Sequence, residues 1–227
     1  MKKIYIGNLL VIISAAGFGL MPIFALFAYQ ANYNVMTLLF LRFAVATILF
    51  FSYVFIKGEN WRITKRQMVL LFFMGGVLYT VQSSLYFSSI KYITPSLAVL
   101  LLYAYPVFVA LLNIYTDHEK LNLRNVVSIV CCLAGMTIVL QPFENFNYIG
   151  VLLALVAAFV YSLYILVGKR VVDQLLPVTA SAYISLFASL SLFVAGTVTA
   201  DINLNVGWQS WPIILGIAIL STFVPIL

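Results

Sequence analysis

Val35–Ile56 reads VMTLLFLRFAVATILFFSYVFI, an unbroken apolar run with one ionised side chain, Arg42, and a basic stop at Lys57. About 20 such residues wound as a helix cross the hydrocarbon core of a bilayer. Runs of the same kind lie on both sides of it. They are Ile4–Ala28, Met68–Ile90, Pro95–Tyr115, Val126–Leu140 (the shortest), Ile149–Val167, Val178–Ala200 and Trp211–Leu227. Composition agrees: of 227 residues, 64% are hydrophobic and 8% charged, against about 25% charged in a soluble domain. A soluble enzyme, a disordered chain and a secreted disulfide scaffold are excluded, because a globule of this size cannot hide so much apolar surface. Membrane strands would alternate apolar and polar residues in blocks of about ten, and no such pattern occurs. The expected fold class is an all-α integral membrane protein.

The few charges set an expected orientation. With the N-terminus cytoplasmic, inside segments carry Lys2, Lys3, Lys57, Arg62, Lys65, Arg66, Lys120, Arg124, Lys169 and Arg170, and outside segments carry Lys91 alone. Basic residues concentrate on the cytoplasmic side of short loops. Trp61, Trp208 and Trp211 all fall at span ends, where an aromatic belt belongs. The net charge of +6 is spread over four flanks and forms no single basic stripe. No nucleic-acid partner is therefore expected; the bilayer is. The first span is too long for a cleaved leader and is followed by further spans. Cys131 and Cys132 are adjacent and lack a neighbouring Cys or His, so neither a disulfide framework nor a metal site is expected.

After the polar interruption Gln141–Asn147 the pattern restarts. At an offset of 143, Gly7, Leu9, Leu10, Ala15, Leu20 and Phe50 recur as Gly150, Leu152, Leu153, Ala158, Leu163 and Phe193. Five spans precede the restart, and an odd number turns the next copy upside down. Inverted repeats commonly build transporters whose site lies near the midplane. The expected organisation is a first five-helix repeat over 1–140 and an inverted, incomplete second over 141–227. Trp211–Leu227 has no basic flank after it, so a C-terminal truncation is expected.

Ser14–Phe24 (SAAGFGLMPIF) and Leu38–Arg42 (LLFLR), then Leu85–Ile93 (LYFSSIKYI) and Thr94–Glu119, with its mid-helix Pro-Val-Phe and terminal Glu, resemble the drug/metabolite transporter superfamily, EamA type, in that order. Gly150–Lys169 resembles the start of that family's second repeat. The resemblance implies ten helices in two inverted bundles, of which about eight are visible, and movement of small metabolites through a central cavity. Phe18–Gly19 stands where relatives often have Trp-Gly, and Arg42 has Ser185 as its counterpart in the second copy.

Candidate site residues follow from polar groups at membrane depth, where a polar face cannot meet lipid cheaply. Tyr79, Gln82, Ser83 and Tyr86 share one face of the third span at i, i+3, i+4 and i+7. Arg42 lies about 10 Å into its span, which leaves two readings open: an inward-facing group that binds substrate or clamps helices, or a side chain snorkelling to the surface. Ser14, Tyr103 and Tyr161 place polar or aromatic groups at similar depth, with Tyr164 beside them as a core filler. Pro106 is expected to kink the fourth span and act in gating. Ser181, Ser185 and Ser189 form a packing stripe, and His118 and Glu119 a solvated loop.

No nucleophile–base pair or acidic cluster appears, and the only His lies in that loop, so no enzyme, metal or cofactor is expected. With no carboxylate in the spans, facilitated or exchange-driven movement of neutral or zwitterionic compounds is expected. The alternative is a non-transporting scaffold or assembly component. Either form is compatible with a homodimer.

Overall fold

The computed structural model describes residues 2–116, 147–172, 175–203 and 211–226, together with 127, 129, 131, 134, 135 and 207. Most of the expected fifth span, along with His118, Glu119 and Cys132, lies outside the described residues. Among the described residues all regular structure is helical. Six helices are long and apolar enough to cross a membrane: Leu10–Gln30, Val35–Lys57, Lys65–Ser89, Pro95–Ile114, Tyr148–Lys169 and Pro177–Val198. A shorter apolar helix follows at Trp211–Ile226. The protein is a multi-pass, all-α membrane protein.

Local chemistry sets the helix limits. Helix α1 (Lys2–Gln30) ends before Asn32, which takes a positive φ of 62° in the turn. Helix α2 (Val35–Lys57) starts where the Asn34 side chain accepts from the Thr37 amide. It stops at Gly58, whose φ of 65° puts it in the left-handed region that glycine reaches without steric cost. Thr64 and Gln67 form a reciprocal capping box ahead of α3 (Lys65–Phe72). A π-helical segment, Phe73–Tyr79, carries α3 directly into α4 (Thr80–Ser89). Thr94 caps α5 (Pro95–Leu102), with proline at the first helical position. Helix α6 (Tyr105–Thr116) continues that span. Next come α7 (Tyr148–Val172), α8 (Pro177–Val198) and α9 (Trp211–Ala218). A second π segment, Ile219–Phe223, follows α9, then one 3-10 turn at Val224–Ile226.

The chain divides into two compact units, Met1–Thr80 with Val171–Leu227, and Val81–Arg170. Within the first, α2 packs most extensively on α8. The π segment of the third span lies on α8, and that of the last span lies on α1 and α2. Glycines permit the closest approaches. A Cβ added at Gly75 would stand 2.3 Å from the Ile184 carbonyl oxygen, and one at Gly17 would stand 2.4 Å from the Leu220 carbonyl oxygen. Ser185 and Ser189 of the small-residue stripe are buried, as helix packing requires. Within the second unit, Gly150 of α7 sits against Tyr92 and Ile93.

The fourth span opens next to Pro106: α5 stops at Leu102, Tyr103 takes φ −65° and ψ 1°, and α6 begins at Tyr105. Pro106 has no N–H for the Leu102 carbonyl, and its ring crowds that same carbonyl, so the helix opens one turn earlier.

Candidate substrate site

The candidate residues fall into two groups, one in each compact unit. In the first unit Arg42 is 1% exposed. Its Nε–H donates to the Thr222 hydroxyl at 2.8 Å, and its guanidinium carbon lies 4.8 Å from the centroid of the Phe43 ring. The snorkelling alternative is thereby overturned, because the head group is engaged inside the protein, where a hydroxyl and a ring face replace water. Thr222 uses both its capacities. It accepts from Arg42 and donates to the Ile217 carbonyl five residues back, at 3.0 Å. That i−5 reach belongs to the π segment, whose wider turn shifts the following side chains in register. Tyr79 meets the other side of the node edge-on through Phe43, with centroids 5.3 Å apart. The Ser14 hydroxyl donates to the Pro225 carbonyl at 2.8 Å, tying α1 to the last span.

In the second unit Gln82, Ser83 and Tyr86 are all buried, and the Ser83 hydroxyl donates to Gln82 Oε1 at 3.3 Å. Around the break in the fourth span runs a chain of four tyrosine rings. Tyr103 and Tyr105 have centroids 6.4 Å apart; Tyr105 meets Tyr161 edge-on at 4.9 Å; Tyr161 stacks on Tyr164 at 5.8 Å and 11°. Tyr103 is 57% exposed at this break. Tyrosine offers a ring face to apolar or cationic groups and a hydroxyl to polar ones. The opened backbone beside it leaves the Leu102 carbonyl without an i+4 amide donor, since residue 106 is proline.

Comparison with known proteins decides the family. The EamA-like transporter family matches residues 5–141 and again residues 148–227. The chain belongs to the EamA-like transporter family. It is 30% identical over 189 residues to the threonine/homoserine exporter RhtA of Salmonella typhimurium, an alignment spanning 82% of this chain and 60% of that one. It is 25% identical over 153 residues to an uncharacterized transporter of Archaeoglobus fulgidus, across 67% of this chain and 54% of that protein. The chain thus spans 54% and 60% of the length of these curated relatives. One crystal structure at 19% identity superposes with a TM-score of 0.65 over 94% of this chain and 76% of its own, a likeness of fold.

Several features of this EamA-family chain escaped the sequence reading. Thr222, the partner of Arg42, lies 180 residues away and, with Ser221, looks like a polar pair in an apolar run. Tyr105 links Tyr103 to Tyr161, and nothing in its position beside Pro106 marks it in the sequence. The paired glycines Gly75–Gly76 were the available signal for the first π segment, since glycine weakens an ordinary helical turn.

Proposed function

We propose that the protein is a permease that moves a small, amino-acid-like or drug-like metabolite across the plasma or inner membrane by alternating access. The observation that carries the proposal is the double match to one transporter family, once in each half of the chain. The expected inverted repeat is supported by the packing of the first unit. The third span's π segment lies on α8 and the last span's lies on α2, an exchange that a pseudo-two-fold relation between halves requires. Ser14, Arg42 and Tyr79 in one unit, and Gln82, Ser83, Tyr86, Tyr103 and Tyr161 in the other, are the proposed substrate-contacting groups. Pro106 marks the proposed gating break. One fixed cation, amides and phenols favour neutral or zwitterionic compounds, and the name of the Salmonella relative points the same way. A cytoplasmic N-terminus is the orientation that the basic flanks favour. No enzymatic role is assigned.

The deciding experiment is export or resistance in a transport-deficient host expressing the chain, screened against amino acids and toxic analogues. Gln82→Leu and Tyr79→Phe should each lower transport at unchanged membrane abundance. Wild-type rates in both would remove the third span from the site. A scaffold is distinguished by Gln82→Cys: a permease lets a water-borne maleimide reach that position, and a packed scaffold does not.

A further inference from the structure

Ser221 stands one residue before Thr222 in the second π segment, is 0% exposed, and its hydroxyl has no hydrogen-bond partner among the described residues. A buried hydroxyl without a partner is destabilising, because it gives up its hydrogen bonds to water and gains none in return. Alanine would pack here without that cost. The neighbouring Thr222 hydroxyl accepts from the Arg42 Nε–H. One hydroxyl is therefore bonded to a buried guanidinium, and the hydroxyl one residue before it is idle.

The segment that holds them is the kind of backbone in which such a pair can alternate. A π turn contains one residue more than an α turn needs, so converting it to α advances the chain beyond it by one position. Advancing the last span by one position brings Ser221 to the place that Thr222 occupies. The Arg42 Nε–H then keeps a hydroxyl acceptor in both registers, which makes the two arrangements discrete and close in energy. The matching element in the third span strengthens the case. Its π segment, Phe73–Tyr79, is closed in the same way, by the Thr80 hydroxyl donating to the Gly75 carbonyl five residues back at 2.8 Å. At the repeat offset, residues 76–79 fall on 219–222, so the two wide turns coincide in the two halves. Well under 1% of residues in ordinary proteins are π-helical.

We propose that Ser221 is a positioning residue for transport: it takes over Arg42 from Thr222 when the wide turn of the last span slips by one residue. The proposal rests on the transport reading. It gives Ser221 an opposite signature in two measurements. Ser221→Ala removes nothing bonded in the described register, so its melting temperature in detergent equals or exceeds the parent's. The same variant loses the acceptor of the other register, so its maximal rate falls about fivefold or more while apparent KM stays within about twofold. Ser221→Thr, which retains a hydroxyl, restores most of the rate. Equal rates for Ser221→Ala and the parent overturn the proposal, and so does a loss of rate matched by a loss of stability.

A second readout needs no transport. The Ser14 hydroxyl meets the Pro225 carbonyl in the described register, and a one-residue advance brings residue 224 to that place. With the native cysteines replaced, Ser14→Cys should cross-link oxidatively to Pro225→Cys and also to Val224→Cys in membranes. Cross-linking to position 225 alone overturns the slip. Should the parent chain move no substrate while both cross-links form, the transport reading falls and the register change stands.

Discussion

Arg42 and Thr222, 180 residues apart in sequence, meet through a 2.8 Å hydrogen bond from guanidinium Nε–H to hydroxyl. The bond joins α2 to the π segment of the last span, and the arginine is 1% exposed. Arg42→Lys keeps the charge but loses the planar Nε–H donor at that position. A charged hydrogen bond contributes about 1.5–3 kcal/mol, so the melting temperature in detergent should fall by several degrees. An unchanged melting curve would show that this bond does not hold the fold.

Glycine substitutions should separate close backbone packing from open helix surface. A methyl group at Gly75 meets the Ile184 carbonyl oxygen at 2.3 Å, where only backbone movement gives relief. Overpacking of this kind costs typically 1–3 kcal/mol. Gly19 has nothing within 4 Å of an added Cβ. Gly75→Ala should therefore reduce the amount of monodisperse protein on size-exclusion chromatography and lower its melting temperature, and Gly19→Ala should do neither. Equal behaviour of the two variants would contradict the close packing of the third span's π segment on α8.

Pro106→Ala supplies the N–H that the Leu102 carbonyl lacks and removes the ring that crowds it. The break between α5 and α6 should then close into a continuous helix. The expected result is equal or greater thermal stability with slower transport. An unchanged transport rate would mean that the break plays no part in gating.

Tyr105→Leu removes the central ring of the tyrosine chain, including its 4.9 Å edge-on contact with Tyr161. Aromatic pairs contribute about 0.5–1.5 kcal/mol beyond their area. If substrate stacks on this chain, apparent KM should rise several-fold in a proteoliposome uptake assay, while the maximal rate changes less. An effect confined to stability would assign the rings to packing alone.

Most of the fold was legible because membrane helices announce themselves. Val35–Ile56 could be bounded to within a residue of Val35–Lys57, since the apolar run, the Asn34 cap and Gly58 all act locally. The third and sixth spans were legible for the same reason. Two deviations were hidden within correct spans. A π turn and an opened turn depend on which carbonyl finds which donor across neighbouring helices, and apolar periodicity carries no record of that. The site was half legible: burial of Gln82, Ser83 and Tyr86 follows from polar residues avoiding lipid, whereas the partner of Arg42 does not.

Sequence alone determined that this chain crosses a membrane several times as helices, because the cost of exposing backbone and charge to hydrocarbon leaves no other solution. It also determined that one arginine would lie at depth. Tertiary structure decided what that arginine does. Whether its long side chain reaches water or turns inward depends on a hydroxyl near the other end of the chain, placed by a π turn that only packing against α1 and α2 specifies.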